Sequence, residues 1–245
     1  MTVRSTKKQK LCLIAFDIDG CLMDIDQPAD EDVRLALGDL QEVGAHLVLA
    51  SGKPCLYLSG LARGLGIMAA SLLGENGAEI WVTSTMPPRR ITQDVAPDAR
   101  QALTALADEA RRRYGADVFL QPNAYGVTVF PAVPGLTPEI VAREMERPLP
   151  AAITRYLHDD SVDWAISRFD KGVAVQALAE HLGIPLERTA AVGNGSNDLP
   201  MLNVVARAFW VGPPDKVAGT GIVAMPDMRS VLRALADAMR QWRQQ

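Results

Sequence analysis

Residues 11–16 form an unbroken apolar run that stops at Asp17. A run this short and this apolar predicts a strand covered on both faces, as in a parallel sheet. Asp30 then stands as a helix N-cap, with Val33, Leu37 and Leu40 at helical spacing and Gly44 as the stop. "AHLVLA" (45–50) repeats the buried-strand pattern, "SGKP" breaks it, and a helix is expected from about Pro54 to Arg63. "SLLG" (71–74) reads as a third strand. Strand, helix, strand, helix, strand predicts a parallel sheet with right-handed crossovers.

The pattern changes in the middle. "AEIWV" (78–82) and "YGVTVF" (125–130) alternate, and "TRYL" (154–157) faces "VDWAI" (162–166) across "HDDS" as a hairpin. Helices fit 97–114 and 137–147, and prolines punctuate the region. This reads as an α+β unit with an antiparallel sheet, inserted into the first domain. After Phe169 the α/β rhythm returns. A helix is expected from about Lys171 to Leu182, ended by Gly183, with strands at 189–193, 207–211 and 221–224 and a last amphipathic helix over 227–243. The division predicted is a core of residues 1–81 and 167–245 around an inserted unit of 82–166.

Composition narrows the classes. The chain has 245 residues, 48% hydrophobic and 22% charged, with a formal charge of -4. That is ordinary globular chemistry with no nucleic-acid footprint. The basic runs Lys7, Lys8, Lys10 and Arg111–Arg113 are short and read as solvated surface. Three cysteines without C-x-x-C spacing predict neither a disulfide framework nor a zinc site, so a cytoplasmic setting is expected. No segment approaches the roughly 18 apolar residues of a membrane span.

Candidate chemistry gathers where a parallel sheet binds ligands, at the carboxyl ends of its strands. The first strand ends in Asp17 and Asp19, and the second in Ser51, Gly52 and Lys53. The last segments bring Lys171 and "GNGSND", with Asn194, Asn197 and Asp198. Two carboxylates beside a buried strand are costly unless cations neutralise them. Oxygen-only ligands favour magnesium, which takes one or two carboxylates plus a phosphate. Residues i and i+2 of an extended segment point the same way, so Asp17 and Asp19 reach one site. Gly20 lets the backbone turn and present N–H groups to an anion. One carboxylate can attack phosphorus as a nucleophile and the other can serve as acid and base. Ser51 can hydrogen-bond a phosphoryl oxygen, and Lys171 can neutralise developing charge. Each piece alone has an ordinary use, as a loop cap, an N-cap, a solvated lysine or a turn. Their joint placement points to a site.

The motifs resemble those of the haloacid dehalogenase superfamily of phosphatases. "FDIDGCL" resembles D-x-D-G-T-L, "LVLASGKP" the strand ending in Ser or Thr, "FDKGVAVQALAEHLGI" the lysine motif, and "AVGNGSNDLPML" the usual G-D-x-x-N-D-x-x-M. The position of the insertion is similar to the type 2 cap of the Cof-like subfamily, and "GENGAEI" (74–80) resembles its core-to-cap passage, as in archaeal-type phosphoglycolate phosphatases and sucrose phosphatases. The resemblance implies a Rossmann-like parallel-sheet core with a small α+β cap that sets substrate specificity. It implies a Mg2+-dependent phosphatase of a small phosphorylated metabolite, phosphoglycolate or a sugar phosphate, working as monomer or homodimer. Asp17 would be the nucleophile and Asp19 the general acid/base. Ser51, Gly20, Gly52, Lys171 and Asn197 would hold the substrate, and Asp17, Asp19, Asn194 and Asp198 would hold the metal. Asn123, Tyr125 and Arg111–Arg113 are the candidates for cap contacts with substrate. Cys21 replaces the usual threonine and Asn194 the usual aspartate, which removes a hydroxyl and a negative charge. A phosphomutase sharing the aspartyl-phosphate step and a non-catalytic binding protein are the alternatives. A receiver domain would be about half this length, and a dehalogenase would not need Asp19.

Overall fold

The computed structural model describes residues 12–24 and 27–244; Lys7, Lys8, Lys10 and Leu11 lie outside them. Strand β1 (Cys12–Asp17) is buried at all six positions. Its side chains alternate between two cores. Ile14 and Phe16 pack in one with helices α1 (Glu31–Glu42), α2 (Cys55–Gly64) and α7 (Met228–Gln244), and Leu13 and Ala15 in the other with α5 (Lys171–Leu182) and α6 (Leu199–Val204). Two apolar faces explain why the run shows no polar alternation.

On one side β1 pairs in parallel with β2 (Ala45–Ala50), followed by β3 (Ser71–Gly74). On the other it pairs with β10 (Thr189–Gly193), followed by β11 (Arg207–Val211) and β12 (Val223–Met225). The register sets Asp17 opposite Ala50 and Phe16 opposite Val192, so the ends of β1, β2 and β10 emerge together.

Beyond β3 the same sheet continues antiparallel through β4 (Glu79–Trp81) and β5 (Arg90–Ile91). Residues 90 and 91 therefore belong to the large sheet, where the sequence reading gave them to the insertion. The reason is pairing: Trp81 lies opposite both Leu72 and Arg90, so the chain doubles back twice along one edge before leaving it.

A second, antiparallel sheet has the order β6 (Val118–Leu120), β7 (Gly126–Pro131), β9 (Val162–Ile166), β8 (Ile153–Leu157). Helices α3 (Pro97–Tyr114) and α4 (Pro138–Glu144) pack on it around Leu106, Val129, Val141 and Trp164. Helix α4 ends earlier than the 147 expected, and Pro148 and Pro150 follow. The last strand starts at 223 rather than 221, because Gly221 turns with φ +82°. Trp81, Trp164 and Trp210, each in a strand, are buried packing residues.

Candidate active site

Lys171 is the first residue of α5, whose N-cap is Asp170. Its side chain is 0% exposed and lies between two carboxylates from different elements. The ammonium Nζ donates to Asp17 Oδ1 at 2.5 Å and to Asp198 Oδ1 at 2.7 Å. Burial pulls this lysine down, but Asp17 and Asp198 together hold it above its ordinary value, so it stays charged. For Asp17, burial outweighs the attraction of Lys171 and, with Asp198 adding to it, raises the carboxyl above its usual range.

Asp198 is also 0% exposed and spends both oxygens. Oδ1 holds Lys171, and Oδ2 accepts from the backbone N–H groups of Asn194 and Gly195, each at 2.9 Å. It therefore builds the "GNGSND" loop and fastens the lysine to it. Gly193 and Gly195 permit this closure, since a Cβ at 193 would meet the Asp198 side chain and one at 195 the Asn197 oxygen.

Asp19 follows Asp17 by two residues and is half-buried. Its Oδ2 is ion-paired with Lys53, whose ammonium also stands 5.5 Å from the Tyr57 ring centroid. Its backbone carbonyl accepts from the Asn194 amide, Nδ2, at 3.3 Å. Gly20 makes the turn at φ +72°. Its own N–H donates to the Met23 carbonyl at 2.7 Å, so it is committed to the turn and not offered to an anion, contrary to the sequence expectation.

Ser51 is buried at the end of β2, and its Oγ accepts from the Lys53 N–H at 3.2 Å. Asn197 points elsewhere: its amide donates to Asn76 Oδ1 at 3.1 Å, on the cleft side of the loop. The register of β1, β2 and β10 and the Asp17–Lys171–Asp198 and Asn194–Asp19 bonds bring Asp17, Asp19, Ser51, Lys171, Asn194 and Asp198 to one sheet edge, while Gly52 and Asn197 border a neighbouring cleft.

That cleft, of about 310 Å³, lies between the two sheets. Asn123 and Tyr125 line it, together with Tyr156, His158 and Phe169, which the sequence did not single out. Arg111–Arg113 do not line it, although Arg111, with Arg100, lines an adjoining pocket that shares Asn123, Tyr125 and Gly126. Residues 111–113 are exposed on α3, where Arg111 pairs with Asp108 and Arg113 with Glu109 and Glu144. The two sides of the cleft are tied together by Glu75, whose carboxylate accepts from the backbone N–H groups of Ala124 at 2.6 Å and Tyr125 at 2.8 Å. Gln121 adds a bond from its amide to the Gly52 carbonyl at 3.0 Å. Glu75 stands in the "GENG" turn, the sequence signal that could have found it.

Asp17 and the Asp19 carbonyl are oxygen donors that fit magnesium; Asn194 turns its amide nitrogen to the Asp19 carbonyl, so its amide would have to flip to offer the ion an oxygen, and that oxygen brings no negative charge. Among the described residues, no group of three or more His, Cys, Asp and Glu is placed to hold a metal ion by such side chains alone.

Residues 14–114 and 139–216 match the family model of haloacid dehalogenase-like hydrolases. The chain belongs to that family. A phosphoglycolate phosphatase of Natronomonas pharaonis is 26% identical over 222 residues, covering 87% of this chain and 90% of that protein. A 5-amino-6-(5-phospho-D-ribitylamino)uracil phosphatase of Bacillus subtilis is 22% identical over 237 residues, covering 92% and 88%. A haloacid dehalogenase-like hydrolase from Bacteroides thetaiotaomicron shares the fold with a TM-score of 0.75 at 21% identity, over 94% of this chain and 100% of that one. Within this hydrolase family the second, antiparallel sheet occupies the place of the cap. Among the described residues no helix is long and apolar enough to cross a membrane.

Proposed function

We propose that this haloacid dehalogenase-like hydrolase is a magnesium-dependent phosphatase of a small phosphorylated metabolite, phosphoglycolate or a sugar phosphate, acting through an aspartyl-phosphate. The observation that carries the reading is the Asp17–Lys171–Asp198 chain at the meeting point of three strand ends. Lys171 occupies Asp17 Oδ1, so attack on phosphorus falls to Oδ2. That oxygen forms the P–O bond as the ester P–O bond breaks, and Asp19 gives the departing oxygen its proton. Asp19 then takes a proton from water, whose oxygen attacks the phosphorus and releases Asp17 and inorganic phosphate. Lys53 pairs with Asp19 Oδ2, so the proton travels on Oδ1. Ser51 Oγ donates to a phosphoryl oxygen, and Lys171 offsets the negative charge brought to Asp17. A magnesium ion, held by Asp17, the Asp19 carbonyl and Asn194 with the charge of Asp198 behind them, would supply electrostatic stabilisation of the phosphoryl oxygens. The large sheet, β5 included, carries the chemistry in this reading, and the antiparallel sheet with α3 and α4 chooses the substrate.

The test is phosphate release from a panel of phosphate monoesters with and without magnesium, beside Asp17→Asn. Magnesium-dependent release that disappears in the variant supports the reading. Release that survives in Asp17→Asn, or no release from any monoester by the folded protein, overturns it.

A further inference from the structure

The cleft beside the Asp17 site shares its border with the reacting groups. Gly52 follows Ser51, Asp170 precedes Lys171, and Asn197 precedes Asp198, and all three line the cleft. A phosphoryl group at Asp17 would therefore direct the organic half of its ester into this space. At about 310 Å³ the cleft is large for a two-carbon acid, and falls at the low end of the roughly 300–1,000 Å³ typical of small-molecule pockets.

Its walls are specific in chemistry. Tyr125 and Phe169 meet edge-on, with centroids 6.5 Å apart and planes at 81°. Tyr156 adds a third ring, 46% exposed, and Ile166 adds an apolar floor. Neutral amides from Asn76, Asn123 and Asn197 line it: Asn197 donates to Asn76, Asn123 accepts from Gln121 and donates to Thr128, and each amide keeps hydrogen-bonding capacity beyond these bonds. Among the described residues, no arginine or lysine lines the cleft. The one basic ring, His158, already faces the Asp163 carboxylate at 3.2 Å. Lys53 is ion-paired with Asp19, and the exposed Arg168 lies over the Phe169 ring, 4.8 Å from its centroid. Glu75 and Asp170 are the carboxylates of the lining.

We infer that this cleft selects phosphate esters whose organic half is an uncharged polyol, a sugar or sugar alcohol, and rejects esters that carry a carboxylate, phosphoglycolate among them. The inference rests on the phosphatase reading. A carboxylate entering here would lose water without gaining a cation and would meet the field of Glu75 and Asp170. A polyol brings hydroxyls for the three amides and C–H faces for the aromatic rings.

The experiment compares kcat/KM for glucose 6-phosphate, 6-phosphogluconate, phosphoglycolate and p-nitrophenyl phosphate in the wild type and in Tyr156→Lys, with thermal unfolding to check the fold of the variant. Wild type should favour the neutral sugar ester over its carboxylate counterpart by about tenfold or more. Tyr156→Lys, on an exposed cleft position, should shift that ratio toward 6-phosphogluconate by about tenfold. Equal turnover, or a preference for either acid, overturns the inference while leaving the phosphatase intact. Turnover of p-nitrophenyl phosphate with neither sugar nor acid ester accepted does the same. No release from any of the four overturns the phosphatase reading and the inference with it.

Discussion

The Lys171 ammonium sits 2.5 Å from the Asp17 carboxylate with no exposure to solvent. Across from it stands Asp198, so one positive charge serves two buried negative ones. Removing it leaves both uncompensated. Lys171→Met should cost about 3–5 kcal/mol of folding stability, since a broken buried pair strands its partners. Denaturant unfolding measures that loss. Phosphate release should fall by about 10²–10³-fold in the same variant, the usual cost of one stabilising donor.

Asn194 offers the second test. Its amide nitrogen donates to the Asp19 carbonyl, one of the oxygens that would face a magnesium ion. Asn194→Asp restores a carboxylate and removes the donor. Calorimetric titration should show magnesium binding tightened by about tenfold. The melting temperature without magnesium should drop, because the new charge joins Asp17 and Asp19 with no cation of its own. Equal magnesium affinity in the two proteins would mean that residue 194 does not contact the ion.

Gly172 is where α5 passes α6. A Cβ there would run into the Pro200 carbonyl oxygen and approach Asp170 Oδ1 at 3.1 Å. Gly172→Ala should push the two helices apart and lengthen the path from Lys171 to Asp198. Overpacking of this kind costs about 1–3 kcal/mol. Unfolding curves read the stability, and a fall in kcat larger than the change in KM would read the displaced lysine.

Glu75 supplies a pH prediction. Burial pushes its carboxyl up to about 7 from an ordinary 4.5, against the two backbone N–H bonds from Ala124 and Tyr125, which favour the charged form. Between those values the folded protein holds a proton that the unfolded chain has released. Stability from this group is therefore full below about pH 4.5 and declines as pH rises through 7. Glu75→Gln should flatten that slope, measured as unfolding free energy across pH 4.5 to 7.5 in the two proteins.

The parts legible in the sequence were those whose chemistry is local. D-x-D-G, S-G-K, D-K and G-N-G-S-N-D each compress a strand end and its functional side chain into a few neighbouring residues, and the apolar runs before them fix the sheet. What escaped depends on contacts across long loops. Lys53 reaching Asp19 spans 34 residues, and Glu75 reaching Ala124 spans 49. The cleft residues Tyr156, His158 and Phe169 follow from the placement of one sheet over another, which no periodicity encodes. Gly20 shows the converse limit: its positive φ was readable, but where its N–H would go was not.

Glu75 and Asn76 both adopt left-handed backbone, with φ of 51° and 54°, in a turn where glycine would rest more easily. For a residue with a side chain that conformation costs on the order of 1 kcal/mol. Glycine at 75 would relieve the turn and at the same stroke unlatch residues 124 and 125 from the sheet. Stranding those two N–H groups costs more than the turn's strain, about 1–3 kcal/mol for each donor left without an acceptor. A search for heat-resistant variants of this protein would therefore be expected to keep glutamate at 75 and leave the turn strained.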